Sequence, residues 1–84
     1  MHEILVEAKA ESDLRGLPAD VFHRVISRIR SLAEQPRPSG CRKITGSKSD
    51  WRVRVGDYRI LYEIDDKSET VRVMRVRHRG EAYR

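Results

Sequence analysis

The segment 51–62 constrains the fold more than any other part of the chain, because it reads as two strands of alternating polarity joined by Gly56-Asp57. A Gly-Asp pair between two alternating runs predicts a hairpin with a two-residue loop, and that loop length sets the register of the strands. Val55 then lies opposite Tyr58, and the pairs further from the turn follow in order.

The register divides the hairpin into an apolar face and a basic face, because side chains along a strand alternate between the two sides of a sheet. The apolar face receives Trp51, Val53, Val55, Tyr58, Ile60 and Tyr62. The basic face receives Arg52, Arg54 and Arg59, with Arg54 directly opposite Arg59. Like charges that face each other destabilise a strand pair. A polyanion lying across this face would offset the repulsion, so the hairpin predicts an anion-binding surface.

The net charge of +5 belongs entirely to the second half of the chain. Residues 1–41 carry six basic and six acidic side chains, whereas residues 42–84 carry twelve and seven. A basic surplus concentrated around the arginine hairpin suits nucleic acid or an acidic protein partner. A chain that is basic only for solubility predicts no such asymmetry.

The length of 84 residues predicts a single domain, 1–84, with one modest core. No apolar run approaches the roughly 18 residues of a membrane span, and no signal-peptide pattern opens the chain. We therefore expect a cytoplasmic protein without membrane contact. Cys41 is the single cysteine, and the histidines lack ligand spacing, so we expect no disulfide, no metal and no other cofactor.

Hydrophobic periodicity predicts an α+β fold, with two N-terminal helices packed on one face of a small, mostly antiparallel sheet of four to five strands. The alternation of valines breaks within the last strand, which predicts either cover on both faces or a bulge. The predicted strands are 3–7, 41–44, 51–55, 58–64 and 69–77, and the predicted helices are 8–15 and the segment from Leu17-Pro18 up to Pro36.

The whole chain resembles the RelE/ParE superfamily of type II toxin–antitoxin toxins, and the RelE branch in particular. The resemblance rests on the Leu17-Pro18 start of the second helix, the hairpin 51–62, and the ending 76–84 with the sequence Val-Arg-His-Arg-Gly-Glu-Ala-Tyr-Arg. It implies a small basic toxin that enters the ribosomal A site, cuts messenger RNA there and inhibits translation. It also implies a cognate antitoxin, which we expect to wrap the basic surface with an acidic segment.

The resemblance also implies roles for three residues. RNA cleavage by the 2′-hydroxyl needs a base for its proton, cations for the charge on phosphorus and an acid for the leaving oxygen. Arg59 matches the family's phosphate-gripping arginine, and Arg79 matches its second arginine. Tyr83 matches the C-terminal aromatic residue that stacks on or orients the nucleotide. For both arginines the alternative is a structural ion pair, for example with Asp57 or Glu81.

Arg52 departs from the family pattern, because well-studied relatives carry lysine at the matching position. Lysine can lose its proton and act as a base, whereas arginine stays protonated, so we expect Arg52 to stabilise charge. His78 becomes a candidate proton shuttle, since an unperturbed imidazole titrates near pH ~6.5. A continuous strand, however, would turn it to the face opposite Arg79. Further candidates for nucleic-acid contact are Arg54, Lys43, Lys48 and Arg77.

Three functions stay open at this point, and a metal-independent, ribosome-dependent mRNA endoribonuclease is favoured. Members of the ParE branch poison DNA gyrase through protein contact and generally lack the C-terminal arginine and tyrosine set that this chain has. The arginine at position 52 keeps open an inactive protein that serves only as an antitoxin-binding co-repressor. On the second helix we expect Arg24, Arg28 and Arg30 to lie on a solvated face, with ribosomal RNA contact as the alternative.

Overall fold

The computed structural model describes residues 1–46 and 50–80, which form a five-stranded sheet and two α-helices. The elements in chain order are β1 (Glu3–Val6), α1 (Ala8–Arg15), α2 (Ala19–Ser31), β2 (Arg42–Lys43), β3 (Asp50–Val55), β4 (Tyr58–Asp65) and β5 (Thr70–His78). The predicted α+β class and order of elements are confirmed. Neither helix in this part of the chain is long and apolar enough to cross a membrane.

The strand order β1-β5-β4-β3-β2 puts the first two strands at opposite edges of the sheet. β1 runs parallel to β5, and every other neighbouring pair is antiparallel. The chain between β1 and β2 must therefore cross the whole sheet, and the two helices make that crossing. α1 packs against β5 and α2 packs against β3, so both helices cover one face and leave the basic face open.

The β3–β4 hairpin has the predicted register at every pair between 51–55 and 58–62. Gly56 adopts a φ of 59°, in the left-handed region that a two-residue hairpin turn uses and that favours glycine. Val53 and Ile60, which face each other on the apolar side, are both buried. The hairpin thus turns Val53 and Ile60 to the helices and its arginines away from them, whereas Leu61, opposite Arg52, lies on the arginine face.

β5 contains a bulge at Met74. Leu61 pairs with Arg75, but the next residue of β4, Tyr62, pairs with Val73, so Met74 is an extra residue in β5. An extra residue exchanges the faces of the strand beyond it. The bulge therefore brings valines on both sides of it to the buried face, namely Val71, Val73 and Val76. Of the two predicted explanations for the broken alternation, the bulge is correct.

The core lies between the helices and the apolar face of the sheet. Tyr62 is its largest fully buried side chain, and its hydroxyl donates a hydrogen bond to the Pro36 carbonyl at 2.8 Å. That bond satisfies the phenol and ties the loop after α2 to the sheet. Burial, together with the nearby Cys41 thiol, raises the pKa of Tyr62. The other buried core residues are Ala10, Leu14, Val25, Ile29, Leu32, Val53, Ile60, Ile64, Val71, Val73 and Val76.

Two predicted boundaries are corrected by local hydrogen bonds. β2 begins at Arg42, after Cys41, because the Cys41 amide donates to the Pro38 carbonyl at 3.0 Å and so belongs to the preceding turn. α2 begins at Ala19, because Pro18 itself is extended, with ψ of 150°. The helix ends at Ser31, after which amides bond to carbonyls three residues back and tighten the chain.

One carboxylate joins α1 to the bulged part of β5. Oδ2 of Asp13 accepts hydrogen bonds from Nε of Arg75 at 2.8 Å and from the backbone N–H of Val76 at 2.9 Å. Oδ1 accepts a third bond from Nη2 of Arg75 at 3.1 Å. Partial burial alone would raise the pKa of Asp13, but these bonds and the Arg75 charge outweigh it and lower the pKa. Asp13 therefore holds α1 on the sheet as a carboxylate.

We expect Asp13→Asn to destabilise the protein at neutral pH by roughly 1–3 kcal/mol, since it removes a charge-assisted acceptor from partly buried donors. Because the folded pKa lies below the usual value of 3.8, the stabilisation is complete above the unfolded pKa. It is lost as pH falls through the folded pKa. Urea unfolding of both proteins from neutral pH down to about pH 3 measures the free-energy gap.

The control for this experiment is Glu34→Gln, which makes the same chemical change at an exposed carboxylate. It should follow the wild-type protein across the whole pH range. A gap between wild type and Asp13→Asn that stays constant in acid would contradict the assigned role of the carboxylate.

Candidate functional site

Three arginines lie side by side across the central strands. Arg54 on β3 pairs with Arg59 on β4, and Arg59 pairs with Arg77 on β5. Arg59 is only 7% exposed, and it is the buried charged residue of the described chain. Like charges in adjacent cross-strand positions and a charge in a buried position both cost free energy. This arginine row is therefore a feature that stability alone does not favour.

A cavity of about 380 Å³ opens beside the arginine row. Five guanidinium-bearing residues line this arginine cavity, and none of its lining residues within 1–46 and 50–80 is acidic. Guanidinium groups remain charged and grip phosphate oxygens in a bidentate fork, so the arginine cavity is built to hold an oxyanion. Its lining residues are Arg28, Ser39, Gly40, Arg42, Arg52, Val53, Arg54 and Arg59.

The short β2 strand is what opens this cavity at the edge of the sheet. β2 pairs only Arg42 with Arg52 and Lys43 with Trp51, so the rest of β3 has no strand beside it on that edge. The loop that follows α2 turns at Gly40, whose φ of 90° favours glycine, before it enters β2. One wall of the cavity thus comes from the strands and the other comes from α2 and its loop.

The structure brings together Arg52, Arg54 and Arg59, which the sequence analysis had placed on one face. Arg77 is the direct neighbour of Arg59 on β5. Arg79 follows β5, and its backbone N–H donates to the Asp57 carbonyl at 2.7 Å. Lys43 is exposed on β2 outside the cavity lining, whereas Lys48, Tyr83 and Glu81 lie outside the described residues.

The structure does not bring His78 to the arginine cavity. His78 pairs with Tyr58, and their rings meet edge to face with centroids 5.3 Å apart. Both rings line a separate cavity on the helix-covered side of the sheet, which also contains Asp13 and Val76. β5 ends at His78, so the strand does not continue to Arg79. Within β5 the side chain of His78 lies on the face opposite that of Arg77 and Arg59.

Sequence reasoning did not predict two of the arginines that line the cavity. Arg28 and Arg42 both line the cavity, although Arg28 had been expected on a solvated face. The apolar stripe of α2 shows only which side of the helix faces the core. It does not reveal that the opposite flank overhangs the open edge of β3. The i,i+4 spacing of Arg24 and Arg28 was the one available signal that two charges share a flank.

Comparison with known proteins agrees with this architecture. A family described as the ParE toxin of type II toxin–antitoxin systems, parDE, matches residues 4–83. The toxin RelG of Mycobacterium tuberculosis is 37% identical over 79 residues, which span 89% of this chain and 87% of the relative.

Solved structures give the same result. A chain of the RelBE2 toxin–antitoxin complex of M. tuberculosis superposes with a TM-score of 0.82 at 29% identity, covering 93% of this chain and 98% of that one. A chain of the archaeal RelE–RelB complex of Pyrococcus horikoshii shares the fold, with a TM-score of 0.84 at 22% identity and coverage of 95% and 97%. With a family match over nearly its whole length and a RelE-type fold, this chain is a RelE-like member of the RelE/ParE superfamily, a toxin of a type II toxin–antitoxin system.

Proposed function

We propose that this toxin is a metal-independent endoribonuclease that cuts messenger RNA on the ribosome. The observation that supports the proposal is the arginine cavity, in which four arginines line one space together with the buried Arg59. Such a cluster of like charges is unfavourable in itself, and the negative charge of a bound phosphate would offset that cost. A strand of RNA can supply this charge, because each nucleotide carries one phosphate.

In the proposed reaction the 2′-hydroxyl of one nucleotide attacks the neighbouring phosphorus. A base takes the hydroxyl proton, a new bond forms between the 2′-oxygen and phosphorus, and the bond to the 5′-oxygen breaks as that oxygen takes up a proton. The products are a 2′,3′-cyclic phosphate and a free 5′-hydroxyl. Extra negative charge develops on the phosphorane oxygens in between, and Arg59 with Arg54 and Arg52 stabilises it electrostatically.

We relate the proposed dependence on the ribosome to the residue types that line the cavity. Its described lining consists of arginine, serine, glycine and valine, and none of these is a ready general base near neutral pH. An arginine side chain is a cationic donor and not an acceptor, so the role of Arg52 is to stabilise charge. Precise orientation of the message is then a large part of the catalytic power, and a bound ribosome can supply it. We propose that Arg79 and Tyr83 complete the site from the C-terminal end.

A cognate antitoxin is the expected partner of the toxin, since the similar structures include RelB–RelE complexes. We propose that an acidic segment of the antitoxin covers the arginine cavity. Carboxylates would offset the repulsion along the row Arg54–Arg59–Arg77. Binding of the antitoxin would then both inhibit the toxin and relieve the charge repulsion along the arginine row.

A second candidate function is inhibition of DNA gyrase by protein contact. It is favoured by the matching family, whose description is that of a ParE toxin. A protein that acts only by contact has no need for a buried arginine at the bottom of a cationic cavity. The two functions share one fold, so the reaction has to be tested directly.

Induction of the chain in a heterologous bacterium separates these functions. We expect protein synthesis, followed by pulse labelling, to stop rapidly, and mapped 5′ ends to show cuts phased to codons. A copy of the same message without a start codon is the control, and it should stay intact. Continued translation with DNA breaks would instead indicate gyrase inhibition, and no effect would indicate a protein that only binds its antitoxin.

Arg59→Gln should reduce cleavage of a ribosome-bound message by on the order of 10²–10³-fold, because it removes the central cation from the developing charge. The rate is measured under single-turnover conditions, and thermal unfolding verifies that the variant is folded. The matched control is Arg72→Gln on the same face of the sheet. Nη1 of Arg72 lies 3.9 Å from Oε1 of Glu63, and Arg72 is outside the cavity lining. Cleavage by Arg59→Gln at the rate of this control would contradict the proposal.

Arg54→Gln should weaken RNA binding and yet stabilise the free protein by roughly 0.2–1 kcal/mol, since it relieves the cross-strand repulsion with Arg59. Urea unfolding at low and high salt measures the gain, which should shrink as salt screens the charges. Arg72→Gln is again the control, because it breaks an attractive pair with Glu63 and should not stabilise. A loss of stability in Arg54→Gln would show that Arg54 has a structural role.

A further inference from the structure

A second groove runs between α2 and the β3–β4 hairpin, with a volume of about 630 Å³. We call it the α2 groove. Its helical wall carries Arg24 and Arg28 together with the hydroxyls of Ser27 and Ser31. Its opposite wall is the end of β3 from Arg54 to Gly56. His23 completes the helical wall, which is therefore polar along this flank of α2.

The α2 groove continues the arginine cavity. Arg28 and Arg54 line both of them, so the two spaces meet at this pair of side chains. Arg24 lies one helical turn before Arg28, which places the two residues about 6 Å apart along the helix axis. Two guanidinium groups one turn apart on one flank can address successive phosphates of a strand that leaves the cavity.

Arg24 is held over the hairpin turn. A Cβ atom on Gly56 would lie 2.8 Å from Nη2 of Arg24, so the guanidinium occupies the space that the missing side chain leaves open. Gly56 is favoured by its φ of 59°, and the Arg24 guanidinium lies close to its Cα in this structure. Arg30, by contrast, lies on α2 outside both spaces.

We propose that Arg24 and Arg28 form a phosphate-binding subsite for the RNA strand next to the cleavage position, with α2 as the second wall of the RNA channel. The inference rests on the proposed function, and it extends the RNA-binding surface to two arginines of α2 that were expected on a solvated face of the helix. RNA fits the groove better than a protein segment does. Guanidinium forks and serine hydroxyls bind phosphate oxygens, whereas an amphipathic helix that docks by its apolar face needs apolar anchor pockets. Val55 is the one aliphatic side chain in the described lining.

The test is the salt dependence of RNA binding. The probe is a short, fluorescently labelled single-stranded RNA with 2′-O-methyl groups at every position, which the full chain can bind but not cleave. Binding of a single strand loses affinity with salt at a slope of about −0.7 per phosphate contact. We therefore expect the double variant Arg24→Gln, Arg28→Gln to bind more weakly and to reduce the magnitude of the slope by about 1.4.

Two further variants separate the subsite from a general effect of charge. Lys9→Gln with Arg30→Gln removes the same net charge from exposed positions outside both spaces, and its slope should equal that of the wild type. Arg24→Lys with Arg28→Lys keeps both charges and should restore most of the slope. Circular dichroism verifies that all variants are folded.

The possible results are distinct. If the wild type neither binds the probe nor cleaves a ribosome-bound message, the proposed function itself fails. A second result is that the wild type binds the probe, but the Arg24→Gln, Arg28→Gln variant and the Lys9→Gln, Arg30→Gln variant change the slope equally. The proposed subsite would then be wrong, because only the net charge of the protein would matter. If the Arg24→Gln, Arg28→Gln variant binds RNA normally but loses antitoxin, the α2 groove is a protein-binding surface and the inference is overturned.

Discussion

The register of the β3–β4 hairpin determines which side chains the site contains. A shift of one residue would turn every arginine of β3 and β4 towards the helices, and Val53, Val55 and Ile60 towards water. The turn at Gly56-Asp57 prevents that shift, because its two-residue loop and the φ of 59° at Gly56 allow one pairing. The same glycine also makes room for Arg24. One turn therefore positions both the arginine cavity and the far end of the α2 groove.

The two faces of the sheet have opposite energetic roles. The helix-covered face holds the buried aliphatic residues and the Tyr62 hydroxyl bond, and it supplies the favourable free energy of folding. The open face holds the row Arg54–Arg59–Arg77, in which like charges lie in adjacent cross-strand positions, an arrangement that is unfavourable in itself. A protein tolerates such a locally unfavourable arrangement where function needs it and the rest of the fold offsets it. The link from Asp13 to Arg75 contributes to that offset.

The hairpin, its faces and the order of elements could be predicted because each depends on local rules. The turn chemistry, the period of two and the apolar stripe of α2 all act over a few residues, and the structure agrees with them. The bulge at Met74 was foreseen only as one of two explanations, since a broken alternation in one strand does not reveal how its neighbour pairs. Its position depends on the pairing of Leu61 with Arg75 and of Tyr62 with Val73.

The remaining members of the site come from parts of the chain that no local rule connects. Arg28 reaches the cavity because α2 packs beside β3, and Arg42 and the Ser39-Gly40 loop reach it because β2 stops after two residues. By itself, then, the sequence determined the hairpin register, the basic face and the family to which the chain belongs, since these reside in local pattern and motif. Only the tertiary structure decided that a helix forms the second wall and that His78 lies across the sheet from Arg59. Both depend on how elements distant in sequence pack together.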